Sequence, residues 1–85
     1  MAYEIIIKPS AEKAFAKLEK SQQIKIISVI EKLASNPKPQ GFKKLKSVAE
    51  LYRIRVGDYR VIYSIDNKVL IITVVKIGHR KEIYK

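Results

Sequence analysis

The chain has no cysteine, no tryptophan and a single histidine, with three glycines and three prolines among its 85 residues. Without cysteine there is no disulfide, no thiolate nucleophile and no Cys-type zinc site. One histidine rules out the usual multi-histidine metal sites, so no metal and no cofactor is expected. So few glycines and prolines leave no flexible linker, and the length allows one small domain spanning 1–85. No apolar run approaches the roughly 18 residues of a spanning helix, and the start lacks the basic and long apolar regions of a signal peptide. The expected location is therefore the cytoplasm, with no membrane partner. Acidic residues are scarce too. Eight Asp and Glu face 18 Lys and Arg, a formal net charge of +10, and that excess favours a polyanionic partner. What the chain does have is 47% hydrophobic residues, enough to build a core.

The spacing of the apolar residues changes once along the chain. Residues 3–8 hold the β-branched run Ile5-Ile6-Ile7, stopped by Pro9, and read as a strand. Ala14, Phe15 and Leu18 then stand against Glu12, Lys13, Lys17, Glu19 and Lys20 in a short amphipathic helix, with Ser10 as candidate N-cap. Ser21 is a second candidate cap, ahead of a stripe of Ile26, Ile27, Ile30, Leu33 and Ala34 that Asn36-Pro37 ends. Residues 36–49 contain Pro37, Pro39, Gly41 and the lysines Lys38, Lys43, Lys44 and Lys46, and read as a basic loop. Beyond it the period is two, in runs 51–56, 59–65 and 68–76 separated by Gly57-Asp58 and Asp66-Asn67, each suited to a two-residue hairpin turn. Residues 78–85 read as a short strand or a helical turn. The expected fold is α+β in the order β-α-α-β-β-β: a mostly antiparallel twisted sheet with both N-terminal helices packed on one face.

A two-residue loop at 57 and 58 sets Arg55 opposite Arg60 and Arg53 opposite Ile62. The same rule at 66 and 67 sets Arg60 opposite Thr73 and Ile62 opposite Ile71. Alternation then gathers Tyr52, Ile54, Val56, Tyr59, Val61, Tyr63, Ile65, Leu70, Ile72 and Val74 on one face for the helices. Tyr52, Tyr59 and Tyr63 are accordingly expected in the core. The other face carries Arg53, Arg55, Arg60 and Thr73 toward the Gly57 end, and Leu51, Ile62, Ser64, Val69 and Ile71 toward the other. Like charges placed opposite each other cost about 0.2–1 kcal/mol, so the Arg55–Arg60 pair calls for a compensating gain. All four arginines, Arg53, Arg55, Arg60 and Arg80, follow residue 50, whereas the first 40 residues use only lysine for positive charge. Guanidinium is the group suited to bidentate phosphate recognition. Two readings stand: a solvated basic surface and an anion-binding surface.

Two stretches carry a resemblance. Leu51-Tyr52-Arg53-Ile54-Arg55-Val56-Gly57-Asp58-Tyr59-Arg60-Val61-Ile62-Tyr63 and Val75-Lys76-Ile77-Gly78-His79-Arg80-Lys81-Glu82-Ile83-Tyr84 together resemble the C-terminal half of RelE-type toxins of the RelE/ParE toxin–antitoxin superfamily. The helix pair and first strand fit the same family more loosely. The resemblance implies a ribosome-dependent endoribonuclease that cuts mRNA in the A site, inhibits translation and is silenced by a co-expressed antitoxin. Residue by residue, Arg53 and Arg55 match the family's two basic residues before the turn and Arg60 the arginine after it. Arg80 matches the arginine of the Gly-His-Arg motif, and Tyr84 the terminal tyrosine. The strand pair is arginine where relatives often carry lysine, and an arginine cannot act as a general base.

Metal-free cleavage by the 2′-hydroxyl needs that group deprotonated, the phosphorane charge stabilised and the 5′-oxygen protonated as it leaves. Arg60 and Arg80 are assigned to the scissile phosphate, and Arg53 and Arg55 to phosphate clamping and leaving-group charge. Tyr84, His79 and a loop lysine, Lys44 or Lys46, are the candidates for proton transfer. Tyr84 ranks first because neighbouring guanidinium charge favours tyrosinate, and His79 second because an ordinary histidine titrates near pH 6.5, about the right range. Lys38, Lys43, Lys44, Lys46, Lys76 and Lys81 are candidate contacts to ribosomal RNA, unless they simply form a solvated face. Leu51, Ile62, Val69 and Ile71 form an apolar patch expected under an antitoxin segment that combines apolar and acidic residues. The alternatives are a ParE-like DNA gyrase inhibitor, which shares the fold without the nuclease residues, and a non-catalytic basic module that binds ribosomes or nucleic acid.

Overall fold

The triple isoleucine lies in strand β1 (Glu4–Ile7), and Pro9 opens helix α1 (Pro9–Ala16) in a computed structural model that describes residues 2–38, 42–44 and 51–79. A proline at the first helical position has its φ preset and lacks an N–H that would find no helical acceptor. The helix therefore starts from Lys8, which makes no side-chain cap bond, and not from the expected cap Ser10, which sits in the first turn. Helix α2 (Lys20–Ser35) likewise starts from Glu19, whose carbonyl accepts the N–H groups of Gln22 and Gln23 at 3.0 Å, and not from Ser21. It ends at Asn36 as the sequence indicates.

The remaining elements are β2 (Lys43–Lys44), β3 (Leu51–Val56), β4 (Tyr59–Asp66) and β5 (Ile71–His79). The five strands form one sheet in the order β1-β5-β4-β3-β2, antiparallel except that β1 runs parallel to β5. The basic segment expected as loop thus contributes a two-residue edge strand, β2, paired with β3.

Ala11 of α1 and Ile26, Ile30 and Leu33 of α2 pack with Ile54, Val56, Val61, Tyr63, Ile72, Val74 and Ile77 of the sheet. Burying each large side chain of this set contributes about 1.5–3 kcal/mol. Tyr63 is fully buried and Tyr52 and Tyr59 partly so, as alternation requires. The Tyr63 hydroxyl donates to the Pro37 carbonyl at 2.7 Å, tying the end of the helical segment to the sheet. Ile27, expected in the buried stripe, is exposed.

The first hairpin has the expected register, with Arg55 opposite Arg60 and Arg53 opposite Ile62. Gly57 takes φ +61° while Asp58 stays at negative φ, the pattern of a type II′ turn. The second hairpin departs from the expected register. The Asp66 side chain accepts the N–H groups of Lys68 and Val69 at 2.9 and 3.4 Å, and Leu70 adopts φ +54°, so the loop spans 67–70 and pairs Asp66 with Ile71. Val69 and Leu70, expected in a strand, belong to this loop. A bulge follows: Tyr63 pairs with Val74 but Ile62 with Lys76, leaving Val75 without an opposite residue. Arg60 therefore faces Gly78 instead of Thr73, and Ile62 faces Lys76 instead of Ile71.

Candidate functional site

Both helices cover one face of the sheet, and the arginines stand on the other. Cross-strand pairing lines up Lys43, Arg53, Ile62 and Lys76 on β2 to β5, and beside them Arg55, Arg60 and Gly78. With strands about 4.8 Å apart and successive same-face residues about 7 Å apart, five cations rise from a patch of roughly 14 by 7 Å. Neither row contains a carboxylate. Arg55 is exposed, Arg53 partly buried and Arg60 buried at 8% exposure. Gly78 brings no side chain to the position beside Arg60.

The bulge decides which residues join this face. Strict alternation from Ile72 and Val74 would put Lys76 under the helices and His79 beside the arginines. The extra residue Val75 reverses both: Lys76 joins the arginine face, Ile77 enters the core, and His79 pairs with Tyr59 on the helix side. The two rings meet edge to face at 5.5 Å and 82°. His79 is thus not brought together with Arg53, Arg55 and Arg60. The lysines divide as well. Lys43 takes the register position of Arg53, and Lys44 that of Tyr52 on the helix side. Lys38 lies 5.9 Å from the centre of the Tyr52 ring. Arg80, Tyr84, Lys46 and Lys81 lie outside the described residues. Lys43 and Lys76 are the cations that pattern reading did not place with the arginines, because the short edge strand and the bulge leave no mark in the hydrophobic period.

Toward the other end, the same face turns apolar and then polar, with Asp66 and Lys68 both at its edge. Ile6 of β1 joins Ser64, Ile71 and Thr73 around an open groove of about 620 Å³ closed by Asp66 and Asn67. The expected apolar patch is rearranged accordingly. Leu51 and Ile71 are partly buried, Ile62 is buried at 6% exposure between Arg53 and Lys76, and Val69 stands 60% exposed in the loop.

A small α+β domain with a basic sheet face opposite its two helices is the class these features define. A family model described as the ParE toxin of the parDE type II toxin–antitoxin system matches residues 5–84, and the chain belongs to that family of toxins, within it to the RelE type. The RelE1 protein of Methanocaldococcus jannaschii is 34% identical over 90 residues, covering 100% of this chain and 98% of the relative. A RelE-like protein of Escherichia coli is 30% identical over 83 residues, covering 95% and 86%. Among solved structures, a chain of the archaeal RelE–RelB complex from Pyrococcus horikoshii superposes with a TM-score of 0.84 at 32% identity, covering 96% of this chain and 99% of that one.

Proposed function

We propose that this toxin is a metal-independent endoribonuclease that cuts mRNA in the A site of the ribosome, and that an antitoxin holds it silent. The observation that carries the reading is the Arg55–Arg60 pair, flanked by Arg53, Lys43 and Lys76 on the face opposite α1 and α2. Folding gains nothing from setting like charges opposite each other, whereas a phosphorane with charge on two non-bridging oxygens is stabilised by converging guanidinium groups. In the reaction a base takes the 2′-hydroxyl proton, the 2′-oxygen attacks phosphorus, and the 5′-oxygen leaves with a proton supplied by an acid. Arg60 and Arg80 hold the scissile phosphate, while Arg53 and Arg55 clamp the strand and offset leaving-group charge. With His79 on the opposite side of the sheet, Tyr84 is the preferred candidate for proton transfer. The antitoxin covers the mixed apolar and polar half of the same face, around Leu51, Ile71 and Ile6, with acidic residues reaching the arginines. The Pyrococcus horikoshii chain that this one resembles was solved within a RelE–RelB complex.

Mapping mRNA 5′ ends after induction, with and without translation, tests this. Cuts inside codons that require translation, and that Arg80→Ala and Tyr84→Phe each abolish while the domain stays folded, are the expected result. Supercoiling defects with intact mRNA would replace the reading with gyrase inhibition.

A further inference from the structure

The helix side of the sheet holds a second cationic feature at the same end as the arginines. Lys13 and Lys17, four residues and thus about 6 Å apart along the axis of α1 and its C-cap, rim an open groove of about 580 Å³ between that helix and the ends of β4 and β5. Ser10 lies one turn before Lys13 on the same rim. The strand side is formed by the edge-to-face pair Tyr59 and His79. No carboxylate lines the groove among the described residues. Its place in the sheet is informative: Val56, Tyr59 and His79 form the cross-strand row next to Arg55, Arg60 and Gly78, with side chains on the opposite face.

We infer that this groove binds the phosphodiester backbone of a single RNA strand, with Lys13 and Lys17 on adjacent phosphates and the Tyr59–His79 pair against a base. Cations along a rim above an aromatic floor are the combination that serves single-stranded nucleic acid. The carboxylates of an acidic peptide would meet the lysines but gain nothing from the aromatic pair. The choice of RNA rests on the ribonuclease reading. The groove extends that reading, because it is separated from the arginine face by the thickness of the sheet and so engages a stretch of RNA other than the one being cut. The Gly57 end of the molecule then grips RNA on both faces.

The test is the affinity of the full chain for a fluorescein-labelled uridine 12-mer as a function of KCl concentration. Each phosphate contact to a single strand adds about 0.7 to the slope of log K against log salt. The Lys13→Ala/Lys17→Ala variant is expected to lower that slope by about 1.4. Lys25→Ala/Lys32→Ala, which removes the same charge from exposed positions of α2, should change it by less than half as much. His79→Ala should weaken binding and leave the slope unchanged. Equal slopes for the two double variants would overturn the proposal, since only overall charge would then matter. Inorganic phosphate perturbing the Lys13 and His79 resonances while the 12-mer does not would overturn the assignment to RNA, as would an Asp/Glu-rich peptide binding where the 12-mer fails. If the groove variant shows the slope change but the wild-type protein leaves translated mRNA intact, the ribonuclease reading falls and the groove stands.

Discussion

Replacing Arg55 by Gln should make the protein more stable and less active, two effects that a purely structural arginine cannot produce together. Arg55 is exposed on β3 and directly opposite Arg60. At the dielectric of water, two unit charges about 7 Å apart repel by roughly 0.6 kcal/mol, a lower bound because Arg60 is buried, and inside the range of about 0.2–1 kcal/mol for cross-strand pairs. Gln keeps most of the stem length and removes the charge, so urea denaturation in low salt should show the midpoint rising at unchanged m. For a domain of this size the gain corresponds to a melting temperature higher by roughly 1–8 °C. In 1 M salt, where the Debye length is about 3 Å, the gain should disappear. Cleavage of mRNA on translating ribosomes should fall about 10²- to 10³-fold, as for loss of one donor to a developing oxyanion. A variant that is less stable than its parent at low salt, or that cuts at the parental rate, would refute the argument that this pair is maintained against folding for the sake of an anion.

Substitutions at two further positions test the scaffold. Burial pushes the Tyr63 hydroxyl from 10.0 up to about 12, with Tyr52 as the smaller contributor. Between pH 10 and 12 the unfolded chain has released a proton that the folded chain still holds, so stability falls as pH rises through that window, by roughly 2–3 kcal/mol. Tyr63→Phe should cost about 1 kcal/mol at neutral pH through loss of the bond to Pro37 and should flatten the alkaline decline. Parallel urea midpoints for the two proteins from pH 8 to 11.5 would contradict the burial argument. Gly57 has φ +61°, and a Cβ added there meets nothing within 4 Å, so Gly57→Ala should destabilise by about 1–2 kcal/mol through backbone conformation alone. Gly57→Asn should cost less, and equal thermal shifts for the two would argue that the turn rearranges.

The residues that made the fold legible are those whose local chemistry has one outcome. Pro9 after three isoleucines ends a strand, Asn36-Pro37 ends a helix, and Gly57-Asp58 sets the register that brings Arg55 to Arg60. Ser10 and Ser21 misled because a capping hydroxyl is only one way to start a helix. Pro9 supplied another, and the Glu19 carbonyl a third. Asp66-Asn67 misled for a related reason: an Asp that captures the amides two and three residues on builds a longer loop as readily as a tight turn. The site was half legible. Arg53, Arg55 and Arg60 follow from turn geometry, while Lys43 and Lys76 depend on a two-residue edge strand and a bulge, and a β-branched residue such as Val75 reads as strand whether or not it is opposed.

That one unopposed valine gives the Gly57 end of the molecule its two-sided character. Without it Lys76 would have to be buried beneath α1 and α2, where a charge costs several kcal/mol unless paired. Ile77 would stand opposite Arg60 at the position Gly78 now occupies. With it, the cation joins the arginine face, Ile77 completes the core, and the imidazole meets Tyr59 beside Lys13 and Lys17. The helix face and the open face of a sheet ordinarily separate core from solvent. Here a single register shift in the middle of β5 sends Lys76 to one side and His79 to the other while keeping the apolar layer continuous from Ile72 through Val74 to Ile77. The small chain thereby sets Lys76 beside the arginines and His79 beside Lys13 and Lys17 without giving up core, which a domain with so thin a stability margin needs.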